Sequence, residues 1–156
     1  MSTENRIKVL LVEDNMLTRL GVASLLETQS DFTIVGQAEN GARAVALYRE
    51  TKPDVVVCDL RMPGLDGIGT TAALRRETPP ARVLVLTNFD GEEDIYRALS
   101  AGALGFLTKE ARGAEILEAV RAVAQGQRRI PPQVAERLAE RMQKPALTNR
   151  ERSVLE

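Results

Sequence analysis

Histidine is absent from the 156 residues of this chain, and cysteine occurs only once. Without histidine there is no imidazole for general acid–base chemistry, no His metal ligand and no internal phosphohistidine donor. A single Cys58 cannot form an internal disulfide, and its apolar neighbours point to an inert core thiol. No stretch approaches the roughly 18 apolar residues of a membrane span, and the polar start MSTENR lacks the form of a signal peptide. The expected setting is the cytoplasm, with no membrane partner. Nucleotide-binding signatures are missing too. There is no G-x-x-x-x-G-K-[ST] loop, and Gly64, Gly67 and Gly69 carry the dinucleotide glycine spacing in reverse, after a loop instead of a strand.

What remains is ordinary for a globular protein, 44% hydrophobic and 28% charged, and long enough for one domain with a short extension. Residues 1–108 carry 11 Lys/Arg against 15 Asp/Glu, and residues 109–156 carry 10 against 7. Neither part is basic enough to argue for nucleic acid by itself.

Short apolar runs alternate with helical stretches. Strands are expected at Ile7–Val12, Thr33–Ala38, Val55–Cys58, Val83–Leu86 and Leu104–Leu107, and helices near 15–28, 41–50, 66–77, 91–101 and 112–126. The last helix shows its face in Ile116, Leu117, Val120, Val123 and Ala124. Asn40-Gly41, Thr51-Lys52-Pro53, Thr78-Pro79-Pro80 and Asp90-Gly91 provide turns. Five βα units imply an α/β fold, a doubly wound five-stranded parallel sheet. After Gln125-Gly126-Gln127 the pattern changes. Val134, Leu138 and Met142, four apart, suggest a short amphipathic helix within a linker at 127–146, and Thr148 with Glu151 forms a T-x-x-E capping box.

The run DVVVCDLRMPGLDG at 54–67 stops abruptly at Asp59. A Val-rich run without alternation suits a strand buried on both faces, and ligands of open parallel sheets sit at the carboxyl ends of strands. Glu13-Asp14 ends the first strand, Thr87 the fourth, and the fifth leads through Thr108 to Lys109. Each has a bland explanation, since acids cap helices, Thr favours strands and Lys is usually solvated. Their joint placement at one sheet edge is what carries weight. Glu13, Asp14 and Asp59 in one pocket would repel unless protonated or neutralised. An all-oxygen cluster selects a hard cation, with Mg²⁺ the natural choice. With the Lys109 ammonium and the Thr87 hydroxyl, this is an environment for a phosphoryl group, which the Asp59 carboxylate would attack in line.

The stretches VLLVEDN at 9–15, VVVCDLRMPGLDG at 55–67, VLVLTNF at 83–89 and GALGFLTKE at 102–110 occur in order, and together they resemble the receiver domain of two-component response regulators. The resemblance spans about residues 5–126 and implies a flavodoxin-like (βα)5 sheet, with residues 1–126 as the receiver. It implies that Asp59 is the phosphoacceptor and that Glu13 and Asp14, with Asp59 and the backbone carbonyl of Arg61, hold Mg²⁺. Thr87 would be the switch hydroxyl, Lys109 the counter-charge and Phe106 the rotating aromatic. Many receivers have Pro after the lysine; Glu110 stands there, which is familiar in the LuxR-type (NarL/FixJ) subfamily. LTNRERSVLE at 147–156 resembles the opening of that subfamily's helix-turn-helix domain.

The resemblance thus implies a phosphorylation-switched transcriptional regulator. Its partner would be a histidine kinase, its response homodimerisation, and DNA would be reached only through a C-terminal domain whose first helix has barely begun. A recognition helix must enter the major groove, so a truncated chain is expected. A stand-alone receiver working through protein contacts is the second reading, and continuation of the reading frame separates the two. A switch is expected more than a turnover enzyme, although one that catalyses its own phosphorylation and dephosphorylation. An Asp-nucleophile phosphohydrolase would need D-x-D-x-T, which neither Glu13-Asp14-Asn15-Met16 nor Asp59-Leu60-Arg61 provides.

Overall fold

Successive residues of a strand face opposite sides of a sheet, and in this chain both sides are buried. Strand β1 (Ile7–Val12) sends Val9 and Leu11 into one apolar cluster and Leu10 and Val12 into another. Strands β3 (Val55–Cys58) and β4 (Val83–Thr87) divide in the same way. That is why their sequences run apolar without alternation. The computed structural model describes residues 6–60, 67–87, 92–108 and 111–130, and single helical positions at 132, 135, 136, 139 and 140.

With β2 (Phe32–Ala38) and β5 (Gly105–Thr108), these strands form one sheet in the order β2-β1-β3-β4-β5, parallel throughout. Helices α1 (Met16–Glu27) and α5 (Gly113–Ala124) cover one face through Ala23, Leu26, Ile116 and Val120. Helices α2 (Gly41–Thr51), α3 (Gly67–Arg75) and α4 (Glu92–Ser100) cover the other through Leu47, Leu74 and Ile95. The expected doubly wound architecture is therefore present. No helix among the described residues is long and apolar enough to cross a membrane.

Local chemistry sets the ends of the helices. Asn15 and Asn40 are N-caps, their side chains accepting from the N–H groups of Thr18 and Arg43 at 3.0 and 2.8 Å. Helix α5 stops at Ala124, two residues before the boundary drawn from the sequence. Gly126, at φ 82°, donates its N–H to the Val123 carbonyl while Gln127 donates to Ala122. This is a Schellman closure with glycine outside the helix. The chain then returns along the sheet edge. Arg129 donates to the Leu104 carbonyl at 3.0 Å and accepts from the Phe106 N–H at 3.1 Å. Residues 127–130 thus blunt the exposed edge of β5. Of the expected linker helix, only single positions are described; Val134, Leu138, Met142 and the capping box of Thr148 and Glu151 lie outside the described residues.

Candidate functional site

Strand β1 pairs with β2 on one side and β3 on the other, so the winding of the chain reverses between β1 and β3. Ligand crevices of open α/β sheets form at that switch point. Val12 and Cys58 are register partners, and the next residues, Glu13 and Asp59, emerge side by side at the carboxyl edge. Backbone hydrogen bonds hold both in place. The Asp59 N–H donates to the Val12 carbonyl and the Glu13 N–H to the Ala38 carbonyl, each at 2.9 Å.

One carboxylate oxygen from each of Glu13, Asp14 and Asp59 lies within 4.8 Å of the others. Glu13 and Asp59 are only 6% and 8% exposed, while Asp14 faces solvent. At that separation two ionised carboxylates repel by about 3 kcal/mol at an effective dielectric near 20. Fully burying one Val or Leu contributes about 1.5–3 kcal/mol, so the apolar strands beneath can sustain the repulsion. A hard divalent cation would remove it. The donor set fits such an ion: all oxygen, no thiol, and two of the three ligands buried.

Thr87 ends β4 and is fully buried, paired in register with Thr108. Phe106 is fully buried on β5 among the α4-side cluster. Of the residues expected at the site, the structure therefore brings Glu13, Asp14 and Asp59 together and sets Thr87 at the end of the strand beside β3. Arg61 and Lys109 lie outside the described residues.

Two supporting residues escaped the sequence reading. A Cβ on Gly67 would lie 2.0 Å from the Asp59 carbonyl oxygen and 2.4 Å from the Leu60 Cα, and the Gly67 N–H donates to the Leu60 carbonyl at 2.8 Å. Only glycine lets α3 start this close behind Asp59. A glycine directly after the Pro- and Gly-marked loop was the available signal. The second is Arg19 of α1, whose Nη1 donates to the Glu13 carbonyl at 2.8 Å. Nothing in its spacing announced it.

Comparison with known proteins places the fold in a family. Residues 9–121 match the family model described as the response regulator receiver domain. The chain is 38% identical over 154 residues to the response regulator protein VraR of Staphylococcus aureus, covering 96% of this chain and 74% of VraR. Among solved structures, a LuxR-family two-component response regulator from Aurantimonas sp. SI85-9A1 superposes with a TM-score of 0.81 at 36% identity, covering 88% of this chain and 98% of that one. The signal receiver domain of NarL from Mycobacterium tuberculosis gives 0.76 at 38% identity, covering 79% and 99%. The chain belongs to the response regulator receiver family, the signalling switches of two-component systems.

Proposed function

We propose that the chain accepts a phosphoryl group on Asp59 from a partner histidine kinase in the cytoplasm and thereby switches its surface. The observation that carries this reading is the close approach of Glu13, Asp14 and Asp59 at the topological switch point. An Asp59 carboxylate oxygen attacks phosphorus in line, a P–O bond forms, and the P–N bond to the donor imidazole breaks as that ring takes up a proton. Glu13, Asp14 and Asp59, with the Arg61 carbonyl, would hold Mg²⁺, which when bound supplies charge neutralisation at the phosphoryl oxygens. Lys109 pairs with the new phosphoryl group, and the Thr87 hydroxyl donates to it. Attack by water on the aspartyl phosphate returns carboxylate and inorganic phosphate, so the chain catalyses both halves of its own cycle.

Thr87 and Phe106, both fully buried, are the switch residues of this reading, and phosphorylation favours a state in which both turn inward. Their repacking alters the surface of α4 and β5 and favours a homodimer. Beside the acid pocket, Met16, Leu17 and Leu20 of α1 are 59%, 78% and 48% exposed. Such an apolar patch at the pocket mouth suits a kinase that must deliver its phosphohistidine to Asp59. Output is transcriptional, through a LuxR-type DNA-binding domain of which 147–156 resembles the opening.

The test is intact mass and oligomeric state after incubation with acetyl phosphate and Mg²⁺, beside Asp59→Asn and an EDTA control. One added phosphoryl group, lost in both controls and accompanied by dimer, is the expected result. No modification under any condition, candidate kinases included, overturns the reading.

A further inference from the structure

A guanidinium on the first turns of a surface helix ordinarily extends its head into water. Arg19 does not: its side chain is only 11% exposed, whereas that of Glu39, its ion-pair partner at 3.9 Å, is 75% exposed. So long and solvated a contact does not account for drawing the cation inward. The short contact is the one to the Glu13 carbonyl, at 2.8 Å. Arg19 also lines the small pocket beneath the acids, together with Glu13, Asp59 and the apolar Val22, Val57 and Leu86.

Hydrogen bonds restrain both the backbone and the carboxylate of Glu13. Its N–H donates to the carbonyl of Ala38 at the end of β2, its carbonyl accepts from Arg19, and its carboxylate Oε2 accepts from the Asn15 N–H at 3.2 Å. The peptide between Glu13 and Asp14 carries two carboxylates of the cluster, and its carbonyl is the atom that Arg19 grips. Loss of that donor would remove one restraint on the rotation of this peptide, and so on the direction of the two carboxylates it carries. A guanidinium reaches the carbonyl with one nitrogen and Glu39 with the other; an ammonium is a single point of attachment.

We propose that Arg19 is a positioning residue for the divalent-cation cluster, fixing the Glu13–Asp14 peptide so that their carboxylates converge with Asp59. This rests on the reading of those three acids as the cation ligands. Partners that orient metal ligands typically affect affinity by about 10–100-fold; because Arg19 grips the ligand's backbone, a weakening of roughly three- to tenfold is expected.

The experiment is calorimetric titration of the full chain with Mn²⁺ alone, for wild type, Arg19→Met and Arg19→Lys, with amide hydrogen exchange of the metal-free proteins. Both variants should bind Mn²⁺ more weakly, and exchange at Asn15 should quicken while that within α5 is unchanged. Arg19→Lys keeps the charge, so the test survives if Arg19→Met fails to fold. Wild-type affinity in Arg19→Lys would assign the effect to charge and overturn positioning, as would equal or tighter binding by Arg19→Met. Failure of the wild type itself to bind Mn²⁺ would sink the cation-site reading and this inference with it, an outcome distinct from both.

Discussion

Asp59 sits between two backbone constraints, its N–H bonded to Val12 and its carbonyl oxygen against Gly67. The second constraint is the less forgiving, since a methyl group there would meet backbone on both Asp59 and Leu60. Gly67→Ala is expected to destabilise the chain by about 1–3 kcal/mol, as overpacking does. This corresponds to a fall in Tm of roughly 2–12 °C, and Mn²⁺ affinity should decline with it as Asp59 is displaced. An unchanged melting curve by circular dichroism would show that the backbone yields without cost. Glu13, Asp14, Asp59 and Thr87 were legible in the sequence because each ends an apolar run, so position along the chain alone locates it. Gly67 and Arg19 were not. Their importance comes from how closely a helix approaches a loop and how far a guanidinium reaches, and both are set by tertiary packing.

At the scale of elements, α5 is fastened to the turn before β2 by a forked contact. Arg121 donates from Nε to Asp31 Oδ2 at 2.7 Å and from Nη2 to Oδ1 at 3.1 Å, and its guanidinium lies over the Phe32 ring at 5.1 Å. The hydrogen bond from Arg121 holds the Asp31 carboxyl below its ordinary value, against the opposing effect of partial burial. A depressed folded-state value means that the contribution is complete above the unfolded pKa of about 3.9 and is lost as pH falls through the lower folded value. Both side chains are over a third exposed, so the pair is worth about 0.2–1 kcal/mol. Asp31→Asn should lower the urea midpoint slightly near pH 7, and the gap should close below about pH 4. A gap that persists into acid would assign the effect to something other than the charge. Most element boundaries were readable, because runs buried on both faces have no alternation to confuse. The end of α5 was misplaced by two residues since Gly126 lies beyond the helix it closes. The pairing of Arg129 with β5 had no sequence signal, as a short edge contact through backbone atoms leaves none in side-chain pattern.

For the whole molecule, the sheet order brings the ends of β1, β3 and β4 to one edge. Because β1 and β3 are neighbours and every strand is parallel, acids 46 residues apart in sequence stand side by side, with Thr87 at the end of the next strand. Buried apolar clusters pack against both faces of this sheet, and residues 127–130 tie the segment after α5 to β5 at Phe106. The central claim is that the phosphoryl group resides on Asp59. Borohydride reduction after acetyl phosphate treatment, followed by peptide mass mapping, tests it most directly, since an acyl phosphate is reduced to the alcohol and aspartate becomes homoserine. The account predicts homoserine at position 59 alone, absent when the divalent cation is chelated. Homoserine at Asp14 or elsewhere, or intact aspartate throughout despite a wild-type chain that binds Mn²⁺, would contradict it.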